Sequence, residues 1–426
     1  MLLREKTARA CEDSEKAWSR LALQHHKLVA ENNFYRAFVR VFDPPGKEQL
    51  EHSHGPLRGL SFAAKDNMAV SGHALSFGIQ PEVLPQAATS AEIVAQLQQA
   101  GACVFGSTNL DPLCLSHDGD NPFFGRVVNP IDAALPVLGS SCGAAASVAR
   151  GQIDFALGTD FGGSIRLPAA SCGLCGFKAS PAFLPRQGVL LLSDTLDACG
   201  VLTKHVDDVA YLIGSLGHVV PSSQQLSGIT VFVPASKDLS AMDETIRCCF
   251  LEFLANLQER VAVKELEISV PFEAILETRK IIAIEHSVKA LAQLGVDSSS
   301  LPAAARALCL YYRDLSVARR AAAVCHAQEV CALFHKMLDS KSFLLTPTLP
   351  TEISPLGASI EANQDRAPLN VFLALANLCQ LPALAVPTSL KHGNLPFSVQ
   401  LVGSPQGDLE LIAAAVEIQE NTSLFV

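Results

Sequence analysis

Short apolar runs alternate with glycine-marked loops and helix-like stretches between residues 60 and 200, and this alternation constrains the fold more than any other feature of the chain. One such unit begins at Thr89 and Ser90, which we expect to cap a helix, and ends at Gly101 before the strand-like residues 103–105. The apolar residues of that helix share one face: Ile93, Val94 and Leu97. Strands that alternate with helices predict an α/β layer architecture.

The chain divides into an arm and one large domain. Residues 1–46 are interpreted as an N-terminal helical arm that is helical up to about Phe42 and ends in an Asp-Pro-Pro-Gly turn sequence. Residues 47–426 are interpreted as a single domain, whose core consists of residues 55–216 and 343–426.

The middle of this domain has a different residue pattern from its ends. Residues 217–342 contain few glycines and include two helix-like stretches, 242–258 and 303–337, which predict a helical elaboration over the core. The strand-like pattern returns in three short runs, and a helix follows at about residues 408–420. The runs are residues 343–347, 384–387 and 397–402. We therefore expect both ends of the domain to share one sheet.

The composition limits the compartment and the partners. Apolar residues make up 49% of the chain and charged residues 17%, which favours one extensive core. The net charge of -10 disfavours phosphate neutralisation, so we expect no nucleic-acid partner. The 13 cysteines follow no secretory signal, which favours a reduced, cytoplasmic protein. Polar residues and a proline interrupt the longest apolar stretch, residues 371–386, which predicts a buried helix and strand and no membrane partner.

The first segment that carries chemistry is residues 158–166, Gly-Thr-Asp-Phe-Gly-Gly-Ser-Ile-Arg, after the strand-like residues 155–157. Two glycines before Ser164 permit unusual backbone angles, so several N–H groups can converge beside its hydroxyl. Acyl transfer needs this combination of a nucleophile and an oxyanion hole. An ordinary strand-to-helix turn is the alternative interpretation of the same segment.

A second loop of small residues, 138–146, contains Ser140 and Ser141 and continues into an alanine-rich helix. By itself it fits tight packing of a helix on a sheet. The loop also matches Gly-x-Ser-x-Gly with Ser141 at its centre, so the nucleophile elbow of an α/β-hydrolase is an alternative. That alternative needs an acid and a histidine later in the chain, for which three residues are available: Asp197, His205 and His286.

The third segment, residues 55–67, places Lys65 at the end of an apolar, strand-like run. Most lysines lie on the solvated surface. Burial disfavours the charged form of a lysine, so a lysine that closes a buried strand can serve as a base.

Together, the three segments resemble the amidase signature family. The family pattern contains a lysine in a Lys-Asp-Asn-like context, a Gly-Gly-Ser-Ser loop, and Gly-Thr-Asp-x-Gly-Gly-Ser-Ile-Arg-x-Pro-Ala-Ala, which here occupies residues 158–170. The resemblance covers residues 55–216 and resumes in 343–403. This chain departs from the pattern at Leu138, where the family often has glycine, and at Cys142, where glycine or serine is commoner.

The resemblance implies a fold and a set of roles. The implied fold is a large twisted mixed β-sheet with helices on both faces, a three-layer α/β/α arrangement. The implied catalytic residues are Ser164 as nucleophile, Ser140 as proton shuttle and Lys65 as base, with a cis peptide bond between Gly139 and Ser140. The implied oxyanion-hole donors are the backbone N–H groups of Phe161, Gly162, Gly163 and Ser164. Ser141, Asp160 and Arg166 match positions that brace the loop.

These residues lead us to expect a serine amidase for a small-molecule carboxamide, acting without a cofactor as a monomer or homodimer. Cys172 and Cys175 have the spacing of a metal or redox pair, but no second pair accompanies them, so we expect no metal site. Two alternatives stay open. One is the glutaminase-type A-subunit of an amidotransferase, and the other is a catalytically silent binding protein of the same fold.

Overall fold

The structure is a computed structural model that describes the following residues: 1–80, 86–222, 228–240, 242–266, 270–295, 301, 303–358, 368–422 and 425. Several of the remaining positions belong to the 217–342 region, and what the sequence predicts for them lies outside the described residues. No helix in this described part combines the length and the apolar composition needed to cross a membrane.

Eleven strands form one sheet in the described residues. Their bounds are β1 Phe38–Val41, β2 Ser61–Lys65, β3 Cys103–Thr108, β4 Phe155–Asp160, β5 Cys175–Lys178, β6 Ala198–Thr203, β7 Thr230–Val233, β8 Ala262–Glu265, β9 Ser342–Pro347, β10 Ala383–His392 and β11 Leu395–Val402. The order across the sheet is β1-β3-β2-β4-β6-β5-β10-β11-β9-β7-β8. The sheet is mixed, because β2 runs parallel to β3 and β4 whereas β10 runs antiparallel to β5 and β11.

The helices of the described residues surround this sheet. Their bounds are α1 Leu3–Glu12, α2 Ser14–Tyr35, α3 Lys47–Glu51, α4 Glu92–Gln99, α5 Cys142–Arg150, α6 Arg166–Ser171, α7 Val206–Ser215, α8 Glu244–Leu257, α9 Phe272–Gln293, α10 Ala303–Asp314, α11 Val317–Met337, α12 Ala374–Leu378 and α13 Asp408–Thr422. The sheet has a core on each face, because neighbouring residues of one strand belong to different clusters. Phe155 and Leu157 belong to the apolar cluster that includes residues of α7 and α13, whereas Ala156 belongs to the cluster that includes residues of α2 and α5. The three-layer fold predicted from the sequence is confirmed.

Several elements differ from the sequence-based expectations. The arm ends in a strand rather than a helix, because α2 stops where Arg36 adopts a left-handed conformation and β1 then pairs with β3. The 217–342 region adds β7 and β8 to the sheet beside its helices. The stretch 303–337 is two helices, since the side chain of Ser316 accepts a hydrogen bond from Arg319 N–H and starts α11. Helix α4 begins after Ala91 without a side-chain cap.

A buried lysine in β5 should make the stability pH-dependent. Lys178 Nζ donates to the carbonyl oxygens of Leu381 at 2.8 Å and Ala179 at 3.1 Å. Burial, followed by the charge of Arg166, lowers the pKa of Lys178 from 10.5 to about 7. Between these two values the unfolded chain binds the extra proton, so the free energy of unfolding rises with pH.

We expect Lys178 to contribute a slope on the order of 1 kcal/mol per pH unit between about pH 7 and pH 10. Urea unfolding of the wild-type chain and of Lys178→Met at three pH values in this window measures it, since the difference between the two curves isolates one titration. Parallel curves would contradict the assignment.

Candidate active site

Three segments meet at one edge of the sheet. Strands β2 and β4 are parallel neighbours, so their carboxyl ends, at Lys65 and Asp160, lie at the same edge. The loop that precedes α5 reaches the same place, because Ser141 N–H donates to the carbonyl oxygen of Ser164 at 3.1 Å. The segments singled out in the sequence therefore come together in space.

Lys65 is fully buried and contacts two residues through its amine. Its Nζ lies 2.7 Å from Ser140 Oγ, 3.1 Å from Thr159 Oγ1 and 3.4 Å from the Thr159 carbonyl oxygen. Thr159 Oγ1 also accepts a hydrogen bond from Asn67 Nδ2 at 3.0 Å. Thr159 has no role predicted from the sequence, although it lies inside the 158–166 segment. The contacts of Thr159 fix the amine beside the Ser140 hydroxyl.

The loop at Ser140 is packed against a buried carboxylate. The Gly139–Ser140 peptide bond is cis, as the resemblance implies. A Cβ atom on Gly139 would overlap Asp111 Oδ2, so this position has room for glycine alone. Asp111 Oδ1 accepts hydrogen bonds from Ser116 Oγ and Gly119 N–H, both at 2.9 Å. Burial raises the pKa of Asp111 to about 6.

We expect Gly139→Ala to lower the free energy of unfolding by about 1–3 kcal/mol, because the new methyl group overlaps the Asp111 carboxylate. Denaturant unfolding measures the change. Gly46→Ala is the matched control, since its Cβ would meet nothing within 4 Å. Equal stabilities of the two variants would show that Asp111 can move away from the loop.

Ser164 is buried, with 1% of its surface exposed. Its hydroxyl has no hydrogen-bond partner among the described residues. The preceding Gly163 has a φ of 113°, which side chains rarely tolerate, and a Cβ there would lie 2.7 Å from Leu373. The glycine therefore permits the tight turn that presents the Ser164 hydroxyl.

The oxyanion-hole prediction needs one correction. The N–H group of Gly163 donates to Asp160 Oδ1 at 2.8 Å, so this donor is already engaged. The N–H groups of Phe161, Gly162 and Ser164 find no acceptor within the part of the chain that the structure describes. Three of the four predicted donors are thus left for an oxyanion.

A buried ion pair between Asp160 and Arg166 stabilises the loop that carries Ser164. Arg166 Nε and Nη2 donate to the two carboxylate oxygens of Asp160 at 3.0 and 2.9 Å. Burial alone raises the pKa of the Asp160 carboxyl, but the charge and hydrogen bonds of Arg166 outweigh it and hold that pKa well below its usual range. Asp160 Oδ2 also accepts from Ile165 N–H at 3.1 Å. The pair fixes both ends of the loop.

Two residues from the C-terminal part of the chain complete this network. Arg166 Nη2 donates to Asn377 Oδ1 at 2.7 Å, and Nη1 donates to the side-chain oxygen of Gln400. Asn377 Nδ2 in turn donates to the Asp160 carbonyl oxygen at 3.0 Å. Neither Asn377 nor Gln400 has a role predicted from the sequence. Their signal was a polar side chain inside an otherwise apolar, buried run.

The alternative nucleophile elbow at Ser141 does not assemble. Ser141 Oγ donates to the Thr159 carbonyl oxygen at 3.3 Å, which makes it a brace of the loop. His286 Nδ1 lies 2.6 Å from Ser193 Oγ, and Asp197 accepts from the backbone of Leu192. Asp197 and His286 are thus engaged with other residues, and the third candidate, His205, lies at the N-terminus of α7.

The cysteine pair in this region is structural. Cys172 and Cys175 are buried, and burial raises the pKa of each thiol above its usual value. Within the described ranges, no group of three or more His, Cys, Asp or Glu side chains is arranged to hold a metal ion.

A cavity of about 490 Å³ opens beside the Ser140 loop. Its lining includes His117, Leu138, Thr351 and Ile353. His117 Nδ1 lies 3.2 Å from the carbonyl oxygen of Gly139, and burial lowers the pKa of His117 to about 4, so the ring is neutral at neutral pH. The volume falls in the range of small-molecule sites.

Comparisons with known proteins identify the family of this chain. A family model for Amidase matches residues 44–412. The A-subunit of the glutamyl-tRNA(Gln) amidotransferase from Symbiobacterium thermophilum is 30% identical over 413 residues, which are 86% of this chain and 84% of that protein. The A-subunit of the same enzyme from Methanosarcina barkeri is 27% identical over 438 residues, 92% of this chain and 90% of its own.

A crystal structure of an amidase superimposes on this chain with a TM-score of 0.83 at 27% sequence identity, over 99% of this chain and 100% of the other. The fold, the three site segments and the relatives that match most of the chain therefore indicate the same family. The chain belongs to the amidase family, whose signature its three site segments carry.

Proposed function

We propose that the protein hydrolyses the carbon–nitrogen bond of a carboxamide through an acyl-enzyme formed on Ser164. The observation that supports this most directly is the buried 2.7 Å contact between Lys65 Nζ and Ser140 Oγ. The next residue, Ser141, donates its N–H to the carbonyl oxygen of Ser164, so the two serine loops lie against each other. The Ser164 hydroxyl makes no hydrogen bond in the described structure, so the proposed proton path through Ser140 to Lys65 requires this hydroxyl to approach Ser140 when a substrate is bound.

The proposed reaction has two halves. Lys65 accepts a proton from Ser140, which accepts one from Ser164, while Ser164 Oγ bonds to the amide carbon. The carbon–nitrogen bond then breaks, and the same path returns a proton to the leaving nitrogen. A water molecule attacks the resulting ester, which releases the acid and regenerates the Ser164 hydroxyl.

The backbone supplies the proposed electrostatic stabilisation. The N–H groups of Phe161, Gly162 and Ser164 are the donors that the loop leaves available, and one such donor is typically worth about 10²- to 10³-fold in rate. Asp160, Arg166 and Ser141 position the loop without contacting the substrate. The reaction as written needs no cofactor.

A second candidate specifies where the released ammonia goes. The relatives from Symbiobacterium thermophilum and Methanosarcina barkeri are A-subunits of glutamyl-tRNA(Gln) amidotransferases. These relatives support a glutaminase-type subunit that acts with a partner. Their support for the stand-alone small-amide hydrolase, which the sequence predicts, is weaker. The same three side chains serve both candidates. The buried Lys65–Ser140 contact argues against a silent binding protein.

Labelling with a fluorophosphonate, followed by intact-protein mass spectrometry, tests the shared chemistry. We expect one adduct, located on Ser164, that is absent in Ser164→Ala and forms more slowly in Lys65→Met. An adduct on Ser141 would instead favour the elbow. Ammonia release by the isolated chain separates the two candidates, because faster turnover of L-glutamine than of succinamate supports the glutaminase-type subunit and the reverse supports the small-amide hydrolase.

A further inference from the structure

One buried cation beside the nucleophile loop has no described anionic partner. Arg279 lies in α9, and 6% of its surface is exposed. Its guanidinium carbon lies 5.1 Å from the centre of the Phe161 ring, and Phe161 is the first residue of the loop that leads to Ser164. Burial lowers the pKa of Arg279 from 12.5 to about 10, although the charges of nearby carboxylates oppose this shift. The side chain is therefore cationic at neutral pH.

The guanidinium group faces the loop closely. A Cβ atom on Gly162 would overlap Arg279 Nη2 and lie 2.8 Å from Nη1, so the missing side chain of Gly162 makes room for the guanidinium. Gly162 stands two residues before Ser164 in the chain. Both terminal nitrogens of Arg279 therefore lie against Gly162 in the nucleophile loop.

The nearest acidic groups are occupied by other donors. Asp160 is paired with Arg166, and its oxygens also accept from Gly163 and Ile165 N–H groups. Asp197 accepts from the backbone N–H groups of Leu192 and Ser193. Among the described residues, Arg279 forms no ion pair and its Nε has no hydrogen-bond partner.

A purely structural role explains only part of this arrangement. The Phe161 ring covers one face of the guanidinium, which is a favourable cation–π contact. The N–H donors, however, lie in the guanidinium plane and point away from such a ring. A buried charge is normally paired, because an unpaired one is strongly disfavoured. A planar fork of N–H donors matches a carboxylate best.

We infer that Arg279 is a specificity residue that binds a carboxylate carried by the acyl part of the substrate, so that the preferred substrates are monoamides of dicarboxylic acids or amides with an equivalent acidic group. This inference rests on the proposed function, since it assigns the substrate class of the same site. The carboxylate would complete the coordination of the guanidinium while the amide carbon lies at Ser164.

Two matched amides test the selectivity. Succinamate carries a carboxylate, and 4-oxopentanamide has a neutral acetyl group of similar shape in its place. We expect the wild-type kcat/KM for succinamate to exceed that for 4-oxopentanamide by about 10-fold or more, the worth of a charged hydrogen-bonded contact. Arg279→Met should bring this ratio close to 1, and Arg279→Lys should keep part of it. Lys280→Met, which removes the exposed neighbouring cation, should leave the ratio unchanged.

Two kinetic outcomes would overturn the inference. One is a wild-type chain without preference for succinamate. The other is an Arg279→Met variant whose rates on both amides fall by the same factor, which is the mark of a structural residue. A variant that fails to fold leaves the wild-type ratio and Arg279→Lys as the decisive measurements.

A binding measurement separates this inference from the proposed reaction. Calorimetry on Ser164→Ala measures the affinity for succinamate and for 4-oxopentanamide without turnover. We expect tighter binding of succinamate, lost in Ser164→Ala/Arg279→Met. Persistent preference in the double variant contradicts the role of Arg279, whatever the chemistry. Full hydrolysis by Ser164→Ala contradicts the proposed reaction, whatever the binding.

Discussion

Replacement of Ser164 with alanine should lower kcat/KM for amide hydrolysis by at least about 10⁴-fold, as loss of a serine nucleophile does in other hydrolases. The same change should leave the free energy of unfolding nearly unaltered. The Ser164 hydroxyl is buried without a partner in the described structure, so its removal breaks no hydrogen bond and relieves an unsatisfied polar group. Steady-state kinetics and urea unfolding on one preparation measure both quantities.

The matched control is Ser147→Ala in the neighbouring helix α5. Ser147 lies 17 positions before Ser164 in the chain. Its hydroxyl is also buried, but it donates a hydrogen bond to the Ala144 carbonyl oxygen at 2.9 Å. This variant should keep its activity and lose some stability, the opposite pattern. Activity in Ser164→Ala within about 10-fold of the wild-type chain would reject Ser164 as the nucleophile.

Arg166→Met should destabilise the protein by about 3–5 kcal/mol, because it leaves the Asp160 carboxylate buried without its cation. The expected effect depends on pH. The wild-type carboxyl has a lowered pKa, so its contribution is present above the unfolded value of 3.8 and holds at neutral pH. In the variant the pKa of Asp160 should rise through burial, so the loss of stability should shrink as the pH falls towards 4.

Denaturant unfolding at two pH values measures this, and the exposed pair Arg247–Glu244 provides the control. Arg247→Met is the same substitution in a solvent-exposed ion pair, so it should change the free energy of unfolding little. The double variant Asp160→Asn/Arg166→Met should recover part of the loss, because no buried charge is then left unpaired. Equal effects of Arg166→Met and Arg247→Met would show that the Asp160 loop does not depend on its cation.

The sequence predicts those site residues that stand in a recognisable local pattern. Lys65, Ser140 and Ser164 each stand in a short segment whose glycines, serines or apolar neighbours restrict the backbone, so the segments could be found without coordinates. Their convergence followed from the family resemblance, and the structure brings them to one edge of the sheet. The roles of the three side chains stay predictions.

The contacts that position the site could not be predicted in this way. Asp111 touches Gly139 and Asn377 touches Arg166 across tens to hundreds of residues, and no local pattern encodes such contacts. Arg279 lies in the region where the family resemblance thins. The short strands β1, β7 and β8 escaped notice because four residues are too few to display a period of two against a helical background.

The bonds that Arg166 makes to Asn377 and Gln400 have a consequence for biosynthesis. Asn377 and Gln400 follow the nucleophile by more than 200 positions, so a nascent chain that has exposed Ser164 on the ribosome still lacks two of the groups that hold its loop. Strands β10 and β11, which fill the middle of the sheet, are missing at that stage as well. The loop around Ser164 can therefore gain its full set of contacts only after Gln400 has been synthesised.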